Sequence, residues 1–574
     1  MTARVTQFEL LGPLPTGTTV LEASAGTGKT FTIAGLVARY VAEGVARLDQ
    51  LLVVTFGRAA TQELRDRVRE RLVTARDGLV NPAVARVSDD QVLVHLASVS
   101  DDEAAVRHQR LGEALATFDA ATVATTHQFC QQVLVSLGTA GDVDAGAVLV
   151  ESLDDLIVEV TDDLYVRNWG RAGASDPPEL TRTQAIDLAR QVVNDGEALL
   201  VPEAPDPGGT PDVRRRFAGA ARAEVDRRKR MRRLLGFDDL LTRLRDTLAD
   251  PLLGPAAAGR LRGRYQVVLV DEFQDTDPVQ WEILRLAFHG AVTLVLIGDP
   301  KQAIYAFRGA DVLAYLDAAA VAGARATLAQ NWRSDAALLC GLDALFRGAA
   351  LGDERIVVLP VSAAHAGRSL ASDEAPVRLR VVTSGGTSGV PVDEMRRLVT
   401  ADVVAEVVAL LDSGAVLTPR DGTPARPVQP ADIAVIVRTG GQLELVHAAL
   451  LAAGVPAVQR TTSSVFRTAA ATDWIVLLEA LEQPHRAGRV RRLALSAFVG
   501  WDAARLDAED SDQLGVRLRG WLQILEQRGI AALFEAVSRS EGVAARLLGQ
   551  LDGERRLTDL RHVGEALHAA AMEG

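Results

Sequence analysis

The stretch from residue 20 to residue 30 carries the most informative pattern in the chain, Val20-Leu21-Glu22-Ala23-Ser24-Ala25-Gly26-Thr27-Gly28-Lys29-Thr30. Its apolar start predicts a buried strand, and the apolar spacing of residues 31–40 predicts a helix. A loop of small residues in that setting lets successive backbone N–H groups surround an anion, and the helix N-terminus adds partial positive charge. Lys29 would reach the outer phosphates of a nucleotide and the Thr30 hydroxyl would hold Mg²⁺, although Ala23 stands where the usual pattern has glycine. The stretch therefore predicts a phosphate-binding loop.

Lysine is almost absent from the rest of the chain. Of the 62 basic residues only Lys29, Lys229 and Lys301 are lysines. A compact ammonium suits a crowded phosphate better than a planar guanidinium does, which fits Lys29. Lys301 lies in a second motif, and the sequence does not define its role.

Length and composition limit the class of protein. The 574 residues indicate several domains, and 48% hydrophobic residues are enough for packed cores. No apolar run of about 18 residues is present, so no membrane span is expected. Cys130 and Cys340 are too few for a disulfide framework or a zinc site and fit a reducing cytoplasm. The net charge of −13 argues against a wholly basic nucleic-acid surface but allows a local basic channel.

A pair of acids follows the clearest strand pattern in the chain. The apolar residues 266–270 lead directly into Asp271, Glu272, Phe273, Gln274 and Asp275. Open α/β sheets bind ligands at the carboxyl ends of their strands. Asp271 is therefore predicted to hold Mg²⁺, and Glu272 is predicted to orient and deprotonate an attacking water.

Two later segments follow further predicted strands. Gln302 comes just after the strand predicted at residues 292–297, where it can sense a γ-phosphate. Tyr305 and Phe307 can face a stacked base, or equally belong to the core. After a strand at residues 324–328, Trp332 can stack on adenine and Arg333 can act as an arginine finger.

Other segments allow two interpretations. His127 follows a strand predicted at residues 121–126, and a lone histidine there is usually a packed loop residue. Residues 214–233 carry ten basic side chains against two acidic ones, which indicates either a solvated helix face or a contact to a phosphate backbone.

A second α/β unit is predicted beyond residue 335. Strands are expected at residues 377–382 and 432–437, and helices at residues 392–411 and 443–453. Residues 475–574 are helical in pattern.

In order along the chain, these motifs resemble those of the superfamily 1 helicases of the UvrD/Rep type, and within them the RecB-type family, the beta subunits of exodeoxyribonuclease V. The matching segments are residues 23–30, 55–65, 125–130, 237–241, 271–276, 298–311 and 330–334. Weaker likeness at residues 464–466 and 553–559 extends the resemblance over almost the whole chain.

The resemblance implies a set of functional residues. Nucleotide would be bound by Ala23, Ser24, Ala25, Gly26, Thr27, Gly28, Lys29, Thr30 and Trp332, and Mg²⁺ by Thr30 and Asp271. Catalysis would use Glu272, Gln302 and Arg333. Single-stranded DNA would contact Thr55, Phe56, His127, Phe237, Tyr305 and Phe307. The basic residues 214–233 would then lie near DNA.

The resemblance also implies an α/β fold with two RecA-like P-loop lobes, each a parallel sheet flanked by helices, with helical insertions and an incomplete second lobe. The expected ranges are 1–137 and 236–330 for lobe 1A, 138–235 for insertion 1B, 331–480 for lobe 2A and 481–574 for insertion 2B.

The implied activity is that of an ATP- and Mg²⁺-dependent DNA helicase moving 3′ to 5′ on single-stranded DNA and duplex ends in double-strand-break repair. RecC-like and RecD-like subunits would be its partners, in the cytoplasm. The family's motifs V and VI and its nuclease domain are not identified in this sequence. The alternatives are a nucleotide- and DNA-binding module without turnover, or an AddA- or UvrD-type relative.

Overall fold

The computed structural model describes residues 5–137, 148–150, 152–170, 178–196, 198–306, 309–372, 374–383, 389–420, 422–459, 464–508, 511–550 and 552–573. The chain divides into two compact units, a first unit of residues 1–368 and a second unit of residues 369–574. In the described part of the chain, no helix has both the length and the apolar character that a membrane crossing requires.

A seven-stranded sheet organises the first unit. The strands of this unit are β1 Thr6–Gln7, β2 Thr18–Glu22, β3 Leu51–Thr55, β4 Thr122–Thr125, β5 Val148–Leu149, β6 Leu234–Leu235, β7 Val267–Val270, β8 Thr293–Gly298, β9 Ala324–Thr327, β10 Gln330–Asp335 and β11 Ser362–His365. The large sheet has the order β1-β9-β2-β8-β7-β3-β4, and every neighbouring pair in it is parallel. All carboxyl ends of its strands therefore lie at one edge, as the predicted site requires.

Helices cover both faces of this sheet. The helices of the first unit are α1 Lys29–Ala42, α2 Arg58–Gly78, α3 Pro82–Ala85, α4 Gln91–Ala97, α5 Asp101–Ala116, α6 Thr126–Leu137, α7 Asp154–Trp169, α8 Arg182–Asn194, α9 Thr210–Arg232, α10 Phe237–Ala249, α11 Gly254–Arg264, α12 Pro278–Phe288, α13 Val312–Val321 and α14 Ala336–Phe346. Alternate residues of β7 enter different cores: Val268 and Val270 pack in one, Val267 and Leu269 in the other. The continuous apolar runs are explained by this burial on both faces.

A small helical group stands within the first unit. Helices α7, α8 and α9 enclose their own core around Ile157, Val160, Phe217 and Val225. The short parallel pair of β5 and β6 lies at its base. The group occupies the stretch in which insertion 1B was predicted.

The second unit is mainly helical. Its strands β12 Leu370–Ala371, β13 Val416–Leu417 and β14 Arg426–Pro427 form a small antiparallel sheet. Its helices are α15 Val392–Asp412, α16 Gly440–Ala452, α17 Ala469–Glu482, α18 Ala487–Ala494, α19 Ala503–Ala508, α20 Ser511–Ser540, α21 Val543–Leu548 and α22 Gly553–Glu573. The last six helices pack around Trp474, and Gly529 interrupts α20 with a φ of 79°.

Two strand predictions in the second unit are wrong. Among the described residues, 377–382 and 432–437 have no hydrogen-bonded partner strand. Leu379, Val381 and Ile436 are 75%, 79% and 94% exposed. A strand needs hydrogen-bonded neighbours, and neither segment has one among the described residues. Ile433, Val435 and Val437 still pack against the core around Val407 and Val446. The helices predicted at 392–411 and 443–453 are present as α15 and α16.

Candidate functional site

The predicted phosphate loop leaves the sheet between β2 and α1. The backbone N–H of Ala23 donates to Gly298 O at 2.9 Å, which anchors the start of the loop beside the end of β8. Gly26 and Gly28 have φ values of 78° and 83°, in the left-handed region that glycine adopts without strain. Thr27 Oγ1 donates to Ser24 O at 2.7 Å and closes the turn. The loop is a compact backbone concavity at the N-terminus of a helix, a geometry suited to phosphate.

The acidic pair lies against the loop lysine. Lys29 Nζ donates to Glu272 Oε2, and the backbone N–H of Glu272 donates to Asp271 Oδ1 at 3.0 Å. Burial, and next the charge of Glu272, raise the pKa of Asp271 to about 6. Glu272 itself has a φ of 49°, rare for a residue other than glycine and typical of functional sites. The structure thus places Lys29 and both acids in one site.

The oxygen atoms around this pair fit a magnesium ion. Asp275 Oδ1 is buried without a hydrogen-bond partner, and burial, followed by the charge of Glu272, raises the pKa of Asp275 to about 6. Among the described residues no group of three or more metal-ligating side chains occurs. A Mg²⁺ site does not need a group of three such side chains, because Mg²⁺ binds one or two carboxylates together with phosphate and water oxygens. Asp271 and Thr30 are the side chains that would hold it.

Gln274, which is not among the predicted site residues, connects Glu272 to the end of β8. Its Nε2 donates to Glu272 Oε2 at 2.8 Å, and its Oε1 accepts from the backbone N–H of Asp299 at 2.9 Å. A Cβ on Gly298 would lie 2.7 Å from Gln274 Oε1, so this approach requires glycine. Gln302 Nε2 donates to Asp299 Oδ2 at 2.7 Å. The predicted γ-phosphate sensor therefore shares a hydrogen-bond network with the predicted base.

Strand β10 lies against the phosphate loop from the other side. The backbone N–H of Trp332 donates to Gly26 O at 2.7 Å, and Asn331 Nδ2 donates to Ala25 O at 2.8 Å. A Cβ on Gly26 would lie 2.6 Å from the Cβ of Arg333. Trp332, 54% exposed, contacts the ring of His365 edge-on at 6.2 Å. Trp332 and Arg333 therefore border the loop. Asn331 is a further candidate site residue that the sequence did not predict. It is only 4% exposed although both neighbouring residues are exposed, and this burial is visible only in the structure.

Four of the six residues predicted to contact DNA form two aromatic pairs. Phe56, after β3, stacks on Tyr305 with ring centroids 5.3 Å apart. His127, at the start of α6, contacts Phe237 edge-on at 5.6 Å, and burial lowers the pKa of its imidazole. The hydroxyl of Thr55 is buried without a hydrogen-bond partner. Phe307 lies outside the described residues.

The basic side chains of α9 are largely paired within the protein. Arg228 contacts Glu159, Asp163 and Glu224 at 2.5–2.8 Å, and Arg232 also contacts Glu159. Arg222 donates to three backbone carbonyls instead. This arrangement favours the solvated helix face over the phosphate contact, because carboxylates already compensate the charges of Arg228 and Arg232 and backbone carbonyls already occupy the N–H groups of Arg222.

All three lysines are ion-paired. Lys29 contacts Glu272, Lys229 contacts Asp239, and Lys301 contacts Glu22 and Asp299. Their side chains are only 11–13% exposed.

Comparison with known proteins agrees with this geometry. The sequence profile of the UvrD/REP helicase N-terminal domain matches residues 5–321. The chain is 52% identical over 98% of its length to the RecBCD enzyme subunit RecB of Mycolicibacterium smegmatis, covering 51% of that protein. It is 29% identical to the RecBCD enzyme subunit RecB of Escherichia coli, over 97% of the chain and 58% of that protein.

A relative outside that group is also similar. The ATP-dependent DNA helicase UvrD2 of Mycobacterium bovis is 26% identical over 98% of the chain and 68% of that protein. The chain spans about half the length of the RecB relatives. With a phosphate loop, an acidic pair and a matching profile over more than half of its residues, the chain belongs to the UvrD/REP helicase family.

Proposed function

We propose that this chain is the ATP-hydrolysing motor part of a RecB-type DNA helicase subunit. The observation that carries the proposal is the contact between Lys29 of the phosphate loop and Glu272, with Asp271 beside it. A phosphate-binding lysine, a metal-binding carboxylate and a candidate base at one sheet edge are the parts that hydrolysis of a nucleoside triphosphate needs.

Each side chain has a defined part in this proposal. Lys29 and the loop N–H groups bind the phosphates, and Thr30 with Asp271 holds Mg²⁺, which neutralises charge on the phosphates when bound. Glu272 orients the attacking water and takes its proton. Gln302 and Arg333 contact the γ-phosphate, and Trp332 stacks on the base.

The polymer on which the motor acts is proposed to be DNA. Phe56, Tyr305, His127 and Phe237 offer ring surfaces beside the nucleotide site, and base stacking on aromatic rings needs no sequence preference. We further propose action at duplex ends in double-strand-break repair, 3′-to-5′ movement and assembly with RecC-like and RecD-like subunits. The relatives named RecBCD enzyme subunit RecB support assembly into an enzyme of several subunits. The free thiols of Cys130 and Cys340 fit a reducing cytoplasm.

A steady-state ATPase assay with and without single-stranded DNA tests the proposal. We expect Glu272→Gln to lower kcat for ATP by about a hundredfold or more, because general-base catalysis contributes 10²–10⁴-fold. The control is Glu282→Gln, which makes the same chemical change on α12, at a glutamate that faces Arg285. Equal rates for Glu272→Gln and the unmodified protein would contradict the enzyme assignment.

One observation favours a second candidate, a nucleotide- and DNA-binding module without turnover. Among the described residues, the second unit has no large parallel sheet, whereas motors of this kind hydrolyse ATP with the help of a second lobe. ATP binding with no hydrolysis in the presence of DNA, in the unmodified chain, would support this candidate.

A further inference from the structure

Lys301 occupies a buried position between two carboxylates that the proposed mechanism does not use. Its Nζ lies 2.7 Å from Glu22 Oε1 and 2.7 Å from Asp299 Oδ1. The three side chains are 11%, 10% and 3% exposed. Burying these three charged side chains costs free energy even when the charges are paired. The cluster therefore calls for a functional explanation.

The two acids come from the strands that form the floor of the nucleotide site. Glu22 is the last residue of β2, directly before the phosphate loop, and it pairs in register with Gly298 at the end of β8. Asp299 follows Gly298. Lys301 therefore bridges the carboxyl ends of two neighbouring strands, one leading to the phosphate-binding loop and the other to Gln302.

Asp299 contacts both Lys301 and Gln302. Its Oδ1 accepts from the Lys301 ammonium and from the Lys301 backbone N–H at 3.1 Å. Its Oδ2 accepts from Gln302 Nε2 at 2.7 Å. One amide N–H of Gln302 is thereby held by Asp299, which fixes the direction in which the rest of the amide points.

The geometry fits a lysine rather than an arginine at position 301. The small Lys301 ammonium approaches two carboxylates at 2.7 Å in a site with this little exposure, and its compact charge needs less room than a planar guanidinium. In a chain that uses arginine for nearly every other positive charge, lysine is kept at this place. The side chain of Tyr315 also lies close enough to Glu22, Asp299 and Arg325 to interact with their charges.

We propose that Lys301 is a positioning residue for ATP hydrolysis: by joining Glu22 to Asp299 it sets the orientation of Gln302 relative to the phosphate loop. The proposal rests on the proposed ATPase function. It assigns Lys301 no contact with the nucleotide.

The test compares Lys301→Met with the unmodified full chain. We expect kcat for ATP to fall between about tenfold and a hundredfold, as for a misplaced catalytic group, with KM for ATP unchanged because the loop still binds phosphate. The double variant Glu22→Gln with Lys301→Met should be more thermally stable than Lys301→Met, since one unpaired buried charge is gone. Its kcat should stay low, because Asp299 still lacks its cation.

The control is Asp90→Asn, which breaks the buried pair of Asp90 with Arg71 at the start of α4. It should lower the melting temperature without changing kcat. A kcat for Lys301→Met equal to that of Asp90→Asn would overturn the proposal.

A crystal structure of Lys301→Met gives a second readout that does not depend on activity. We expect Gln302 Nε2 to leave hydrogen-bond distance of Asp299 Oδ2, and persistence of that bond would overturn the proposal. If the unmodified chain hydrolyses no ATP, the proposed function fails, while this structure still decides whether Lys301 positions Gln302.

Discussion

Gly26 is the residue at which the phosphate loop and strand β10 come closest. Its positive φ requires glycine, and an added Cβ would meet both Arg333 and Asn331. The glycine, lysine and threonine of the loop could be predicted from sequence because they follow each other in a fixed local order. Asn331 and Gln274 could not, because their partners, Ala25 and Asp299, are brought near only by the folded sheet.

Replacing Gly26 tests this contact at the residue scale. Gly26→Ala should weaken nucleotide binding by about tenfold or more, because the left-handed conformation costs roughly 1–2 kcal/mol for an L-residue and Arg333 must also move. Titration with a fluorescent ATP analogue measures the change.

Gly17→Ala is the matched control. Gly17 also has a positive φ, 64°, but a Cβ there meets no atom within 4 Å. The Gly17→Ala variant should bind the ATP analogue with the same affinity as the unmodified protein. Equal affinities for the two variants would show that close approach to β10 is unimportant for the loop.

At the scale of the elements, parallel strand order determines which side chains meet. The five strands predicted in the first unit are present as β2, β4, β7, β8 and β9. The two-residue β1 and the polar β10 were not predicted, because neither has an apolar run. The segments that follow β3 and β8 bring Phe56 and Tyr305 together, although some 250 residues separate them.

Removal of one ring tests the DNA assignment of this pair. Tyr305→Ala should weaken binding of a fluorescent single-stranded oligonucleotide by about tenfold, since stacking contributes about 1–3 kcal/mol per base. Fluorescence anisotropy at fixed salt gives the affinity.

Phe346→Ala removes another partly exposed ring, 44% exposed on α14, and should bind the oligonucleotide normally. A similar loss of affinity in both variants would contradict a specific role for the stacked pair.

At the scale of the whole molecule, each of the two units has its own core. The helical core of the second unit centres on Trp474, which is 1% exposed, donates from Nε1 to Leu560 O at 2.9 Å and packs on Phe498 and Phe534. The helices of this unit could be predicted from local periodicity. The strands predicted at residues 377–382 and 432–437 failed because a parallel sheet depends on distant partners that no local pattern specifies.

Separate cores predict separable unfolding. Trp474→Ala should destabilise the second unit by ~3–5 kcal/mol, as for other large aromatic truncations in cores, and leave nucleotide affinity unchanged. Differential scanning calorimetry should show one transition lowered.

Phe288→Ala, in a core of the first unit, should lower the other transition. If both variants shift the whole unfolding curve together, the two units do not unfold independently.

The pairing of every lysine has a practical consequence for chemical labelling. Acylating reagents need an accessible, unprotonated primary amine, and each ammonium here is held by a carboxylate with at most 13% of its side chain exposed. Side-chain labelling by an N-hydroxysuccinimide ester should therefore be slow at all three sites. A change in reactivity at Lys29 upon addition of a ligand would report directly on the occupancy of the loop, with almost no background from the arginine-rich exterior.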